Sequence, residues 1–281
     1  MSAAAASGPA GQPAVGVLGA TSFVGQAVVS RLDEAGCRAV PVSRRAEIHD
    51  AHIPRWITLC PIWVLPEHFA RLEACGATRL VALSSTSRFT KSDSADAGER
   101  DVAEKLAAAE AAVFEWAGRR GVVATVLRPT LIYDGVLDRN IVTIAAFIRR
   151  WGFFPVVGTA RGLRQPVHVD DVASACVAAL TAASPAPAYD ISGAETLPYR
   201  RMVERVFASL GKQPRIVSLP RWVAKAGVAA LRALPTYRHV TVAMFDRMDD
   251  DLTFDHAAAA RDLGFEPRRF VLPSATPAGH S

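Results

Sequence analysis

One stretch decides the fold: Val15-Gly-Val-Leu-Gly-Ala-Thr-Ser-Phe-Val-Gly25. Its first four residues are a short apolar run that reads as a buried strand, and a turn with glycines at 19 and 25 follows. Val24, Ala27, Val28 and Leu32 then recur at i, i+3, i+4 and i+8, one face of an amphipathic helix. Gly19 permits a tight turn, and Gly25 lets helix and strand pack closely. The helix then aims its free N–H groups at whatever lies beyond the strand, an arrangement that suits a dinucleotide pyrophosphate. Gly19, Thr21, Ser22, Phe23, Val24 and Gly25 are the residues expected against it. Ser22 stands where a middle glycine is usual, so its Cβ narrows the approach while its hydroxyl offers a hydrogen bond.

Outward from this stretch the pattern repeats. Gly36 ends the helix, and Arg38–Val42 reads as a second strand. Further strands are expected at 56–60, 79–83, 122–127 and 189–191, with helices over 66–76, 99–118 and 171–183. Alternation of this kind predicts an α/β fold with a doubly wound parallel sheet covered on both faces. The stretch 46–55 is too short for a helix plus a strand, so the sheet is expected to be trimmed there. After Pro129 come loops and Trp/Phe clusters, and from Leu197 three helical stretches rich in proline, without strand alternation. The expected organisation is a flexible tail over 1–13, a nucleotide-binding domain over 14–192 with 130–166 contributing to the substrate cleft, and a small, mostly helical substrate lobe over 193–281.

Composition narrows the function. The 281 residues are 50% hydrophobic and 21% charged, which excludes a disordered chain, and a net charge of +5 is too thin to argue for nucleic acid. Cys37, Cys60, Cys75 and Cys176 lack metal-ligand spacing, so no metal and no disulfide scaffold is expected, and reduced thiols fit a cytoplasmic protein. No run approaches the eighteen or so apolar residues of a membrane span. About twenty residues past the last glycine, where NAD-binding chains place an acidic residue on the ribose, this chain has Ser43-Arg44-Arg45. Two guanidinium groups and a hydroxyl suit an extra phosphate, so NADP(H) is expected in preference to NAD(H).

Four motifs occur in order: Gly19-Ala-Thr-Ser-Phe-Val-Gly25, Ser84-Ser-Thr-Ser87, Leu127-Arg-Pro-Thr-Leu-Ile-Tyr133 and Arg164-Gln-Pro-Val-His-Val-Asp-Asp171. Through them the chain resembles an extended short-chain dehydrogenase/reductase of the NAD(P)-dependent epimerase/dehydratase family, over roughly residues 14–195. The resemblance implies a Rossmann-type domain and oxidoreductase or isomerase chemistry on a nucleotide-linked sugar, a phosphorylated small-molecule substrate. It implies that Ser85, with Thr86 beside it, supplies the catalytic hydroxyl, and that Pro129 and its neighbours line the nicotinamide. Arg164 would contact the substrate diphosphate and Asn140 a further phosphate. It also implies pairing into a homodimer through the 99–118 helix. His168 and Asp171 read as a strand-to-helix junction rather than as catalytic groups.

One departure stands against these matches. The family's acid/base pair is a Tyr followed four residues later by Lys, and no Tyr-x-x-x-Lys occurs in this chain. Aligning Glu110 with the family's glutamate puts Val102 and Leu106 at the two catalytic places. Three readings stay open: an enzyme whose proton donor comes from elsewhere, with Tyr133 the nearest phenol and Lys91 or Ser92 in reach; a cofactor-binding scaffold or sensor without chemistry; or an oxidoreductase acting on a lipid or isoprenoid. Leu219–Pro235, whose only charges are Arg221, Lys225 and Arg232, fits either a membrane-surface helix or a buried lid with Trp222 packed inside. Arg149, Arg150, Arg161 and Arg164 surround Trp151-Gly-Phe-Phe-Pro155 as a local anion site.

Overall fold

A computed structural model describes residues 12–43, 52–220, 222–223 and 247–274. Its centre is a six-stranded, all-parallel sheet built from β1 (Ala14–Leu18), β2 (Arg38–Val42), β3 (Arg55–Thr58), β4 (Arg79–Leu83), β5 (Val123–Pro129) and β10 (Ala188–Ile191). The strand order is β10-β5-β4-β3-β1-β2, so the winding reverses between β1 and β3. This is the Rossmann-like architecture that the strand–helix alternation predicts. Pro41 cannot donate to a ladder, and it sits in β2, at the edge of the sheet.

The period of two along β1 sorts its side chains. Val15 and Val17 face helices α1 (Phe23–Glu34) and α6 (Val169–Thr181), where Val28, Leu32, Val172, Cys176 and Leu180 complete one fully dry core. Leu18 faces the opposite layer, with Leu72 of α2 (Phe69–Ala74) and Leu106 and Val113 of α4 (Ala97–Arg120). Gly16 also points there, and its missing side chain makes room for Trp56 of β3, a completely buried ring whose Nε1 donates to the Ile53 carbonyl at 2.7 Å.

Several expected elements shift by a few residues. The helix expected over 66–76 divides into a 3-10 turn, Ile62–His68, and α2; Pro66 lies inside the turn, where its missing N–H suits tighter winding. The stretch 46–55 lies mostly outside the described residues, as does most of 219–235. Between β5 and β10 come β6 (Ile132–Tyr133), α5 (Arg139–Trp151), β7 (Phe154–Val157), β8 (Leu163–Arg164) and β9 (Val167–His168). Beyond residue 196 the chain forms β11 (Leu197–Pro198), α7 (Tyr199–Ser209), β12 (Ile216–Leu219) and α8 (Ala257–Leu263). Two of these are short strands that the apolar pattern does not announce: β11 pairs antiparallel with β8, and β12 parallel with β7. A third core joins α5, β7 and α7 through Ile144, Ile148, Val156, Val203 and Phe207. Helix α8 returns to the main sheet, placing Ala259 in the core shared by α1 and α6.

A Cβ on Gly16 would lie 2.4–2.7 Å from three atoms of the Trp56 ring. Gly16→Ala is therefore expected to lower stability by about 1–3 kcal/mol, as overpacking of a filled core does, read as a lower urea midpoint with an unchanged m-value.

Candidate functional site

At the start of α1, Ser22 is the N-cap: its Oγ accepts from the Gly25 amide at 3.0 Å, leaving its O–H free to donate outward. Such a cap stabilises a helix by about 1 kcal/mol. The amides of Phe23 and Val24, at the first two helical positions, have no carbonyl a turn earlier to bond. Gly19 adopts φ +86°, and a Cβ on Gly25 would lie 2.2 Å from the Gly19 carbonyl oxygen. Beside this turn lies a crevice of about 440 Å³ at the carboxyl ends of β1, β2 and β3, walled by Gly19, Thr21, Ser22, Val42, Ser43 and Cys60. It lies at the switch point of the sheet, where open α/β folds bind their ligands. The glycine turn at the mouth of α1 and the position of the crevice fit a dinucleotide. Arg44 and Arg45 lie outside the described residues.

On the other side of α1's first residue lies a larger cavity of about 770 Å³. Phe23 lines it, together with Ser85 and Thr86 from the turn after β4, Thr130 after β5, and Asn140 of α5. The Ser85 Oγ accepts from the Ser87 amide at 3.1 Å, and the Thr86 hydroxyl donates to the Pro129 carbonyl at 3.1 Å. Pro129 thus anchors the serine-rich turn, and its successors Thr130, Leu131 and Ile132 form the wall. Val102 of α4 also faces this cavity, with Leu106 buried one turn behind it. Lys91 lines it too, and among the described residues its amine makes no hydrogen bond or ion pair. Burial, then the Arg247 charge, pushes this ammonium below its ordinary pKa, against a smaller opposing pull from Asp96.

Behind the wall sits a charge cluster. Glu110 of α4 is completely buried and accepts from Ser84 Oγ at 2.6 Å, from Arg128 Nη2 at 2.6 Å and from Arg88. Burial works to raise its pKa, but the hydrogen bonds from Arg128 and Ser84 and the two positive charges together hold it below the ordinary glutamate value. Arg128 and Arg88 also lie over the Phe89 ring, at 5.3 and 5.4 Å. One carboxylate thus ties β5 and α4 to the turn that carries Ser85.

The NAD dependent epimerase/dehydratase family model matches residues 68–192. The match spans just under half of the chain, and over it the chain is similar to that family. A curated relative, the mitochondrial NADH dehydrogenase [ubiquinone] 1 alpha subcomplex subunit 9 of Arabidopsis thaliana, is 26% identical over 90% of this chain and 74% of its own length. Among solved structures, RMD from Pseudomonas aeruginosa complexed with NADPH superposes with TM-score 0.65 at 16% identity, covering 91% of this chain and 94% of its own. UDP-glucose 4-epimerase from Thermotoga maritima with UDP-glucose gives TM-score 0.62 at 16% identity, covering 90% and 93%. At such identities the structures share the fold.

Two sequence expectations need correction. Tyr133 does not reach the cavity as a substitute phenol. Its ring is fully buried edge-on to Phe270, and its hydroxyl donates to the Arg269 carbonyl and accepts from the Val271 amide, both at 3.2 Å. Burial raises its pKa further. Arg164 lines the cavity, but its Nη atoms donate to the carbonyls of Leu163, Asp250 and Arg247, and its guanidinium stacks 5.3 Å over Tyr199. It clamps the 247–252 strap instead of standing free for a diphosphate. His168 is itself the N-cap of α6, and Asp171 accepts from Arg268, so both belong to a structural junction as expected. The glutamate cluster and the Arg164 clamp are missed by the motifs because their partners come from distant parts of the chain.

Folded Glu110 holds off its proton to lower pH than in the unfolded chain. Its contribution is complete above the ordinary glutamate pKa and is lost as pH falls through the folded value. Glu110→Ala, which leaves Arg88 and Arg128 uncompensated, is expected to cost about 3–5 kcal/mol near neutrality. Chemical denaturation of Glu110→Gln across the acid range should show a shallower loss of stability than the parent; an identical pH slope contradicts this role.

Proposed function

We propose that the protein is an NADP(H)-holding subunit that keeps its dinucleotide as a structural element and performs no acid/base turnover. One observation carries this: the cavity beyond the cofactor crevice presents Val102, with Leu106 buried behind it, where the family's Tyr and Lys would stand, while Tyr133, the phenol of the third motif, is tied to main chain. A phenol and an amine can pass a proton; two aliphatic side chains cannot. The likeness to a respiratory NADH dehydrogenase subunit, over 90% of this chain, supports membership of a larger assembly.

In this reading Gly19, Thr21, Ser22, Phe23, Val24 and Gly25 hold the pyrophosphate, and Ser43, Arg44 and Arg45 receive the 2′-phosphate. Pro129 fixes the wall against which the nicotinamide lies. Bound NADPH would supply a hydride; the chain's contribution is to grip the phosphates and to set Val102 in place of a phenol at the nicotinamide end. A second reading, a reductase or epimerase acting on a nucleotide-linked sugar, draws on Lys91, an amine of lowered pKa in the same cavity as Ser85 and Asn140.

Titration of the full chain with NADPH and NADH, followed by nicotinamide fluorescence, tests the assignment. NADPH at a hundred times its Kd should add about 2.7 kcal/mol of stability, seen as a higher unfolding midpoint. Arg44→Ala with Arg45→Ala should weaken NADPH and spare NADH; equal loss contradicts the 2′-phosphate assignment. With UDP-glucose and NADP+ present, no reduced cofactor should accumulate. Accumulation that Lys91→Ala abolishes transfers the account to the second reading.

A further inference from the structure

Two features that the sequence singles out stand apart from the cleft. Trp222 is 75% exposed, so the reading of it as packed inside a lid does not hold. Arg149 and Arg150 are exposed at the end of α5 while Arg164 is buried in its clamp, so the anion site expected around Trp151 loses Arg164. The larger cavity is different, because it holds charged groups that the fold does not employ. Four cationic and three carboxylate side chains line it. Glu99 is paired with Arg247, and Asp138 accepts from the amides of Gly135 and Ile141. Asp96 accepts from the Glu99 amide, and Arg164 is spent on its strap. Lys91 and Arg139 are left over: among the described residues neither makes an ion pair, and neither side chain donates a hydrogen bond. The amide group of Asn140, beside Arg139, is equally unbonded among them. A half-buried ammonium without a partner is costly, so an anion brought from outside is favoured there.

The opening of the same cavity is apolar. Leu137 lines it and is 59% exposed, and Val136 before it is 64% exposed. Backbone bonding holds both in place: Asp134 Oδ1 accepts from the amides of Val136 and Leu137 at 2.7 and 2.8 Å, and Asp138 Oδ2 from that of Gly135 at 2.8 Å. Leu131, Ile132, Leu252 and Phe254 carry the apolar character along the wall. Covering aliphatic surface of this kind is favourable by about 25 cal/mol per Å². A nucleotide-linked sugar, whose base, ribose, diphosphate and hexose all carry polar groups, satisfies the cations but not the aliphatic rim. A molecule with a negative head and an apolar chain satisfies both. At about 770 Å³ the cavity lies within the size range of pockets that enclose small ligands. We propose that it binds a single-chain anionic amphiphile, with its carboxylate or phosphate head at Lys91, Arg139 and Asn140 and its chain along Ile132 and Leu137. The proposal rests on the reading of this cavity as non-catalytic, since a resident ligand takes the place of a substrate.

Calorimetric titration of the full chain without cofactor, below the micelle threshold, tests it with octyl, decyl and dodecyl phosphate and the matching carboxylates; decanol and inorganic phosphate supply chain and charge alone. Affinity should rise about fourfold for each added CH₂, the value of one buried methylene, and the phosphate and carboxylate series show which head is preferred. Lys91→Met and Arg139→Gln should each weaken the anionic probes about tenfold or more and leave decanol unchanged. Leu137→Ser should flatten the dependence on chain length. All three positions are exposed or half-buried, so unchanged unfolding midpoints will establish that the variants fold. Binding that is indifferent to chain length overturns the proposal, as does binding that the Lys91 and Arg139 variants leave intact. UDP-glucose binding tighter than dodecyl phosphate would assign the cavity to a nucleotide-linked sugar and also overturn it. No dinucleotide is present in these titrations, so their failure is read separately from a failure to bind NADPH, and turnover of UDP-glucose reports on the non-catalytic reading by its own signal.

Discussion

At Gly25 the first helix comes so close to the turn it leaves that a Cβ would stand 2.2 Å from the Gly19 carbonyl oxygen. Only glycine permits that approach, and two consequences follow from it. The apolar face of α1 is pressed onto β1 and α6, completing one of the two cores that sandwich the sheet. The helix mouth is also brought to the reversal point between β1 and β3, where its first amides have nothing of their own to bond. Ser22 secures the mouth by capping the Gly25 amide while keeping its own hydrogen available. Helix packing and the opening of the helix mouth are therefore one geometric requirement.

The neighbouring cavity is organised by a different force. A carboxylate buried as completely as Glu110 persists in its charged form only because two guanidinium groups and a hydroxyl converge on it. That convergence fixes the Ser84–Ser87 turn against β5 and sets the floor behind Ser85. The turn that carries Ser85 is thus held from behind, while Val102 lines the cavity and Leu106 is buried one turn behind it. Arg164 and Tyr133 likewise spend their polar groups on main chain: Arg164 holds the strap from 247 and Tyr133 the strap from 269.

Much of this was legible in the sequence wherever a local periodicity or a glycine had a single mechanical reading. The β1–turn–α1 unit, the parallel sheet and α4 belong to that class, since period-two runs and a 3.6-residue seam each specify one burial face. The short strands β11 and β12 were not legible, because two to four residues hold no period and their pairing is decided by distant partners, Arg164 and Phe154 among them. The role of Tyr133 was misread for a related reason: its hydroxyl partners lie more than 130 residues away, at Arg269 and Val271. Pro66 reads as the start of a helix, yet it lies inside a 3-10 turn that begins at Ile62 and packs Ile62 and Leu65 with residues of α4. Glu110 was found only as an alignment point; that it is buried beneath two arginines is a fact of tertiary structure.

The claim on which the account rests is that a dinucleotide lies with its pyrophosphate on the first amides of α1 and its nicotinamide toward Val102. A crystal structure of the protein grown with saturating NADPH tests it most directly. The account predicts phosphate density within hydrogen-bond distance of the Phe23 and Val24 amides, and a nicotinamide ring against the Val102 side of the larger cavity. Density that places the nucleotide elsewhere, or a crevice left empty by a protein that binds NADPH in solution, would contradict it.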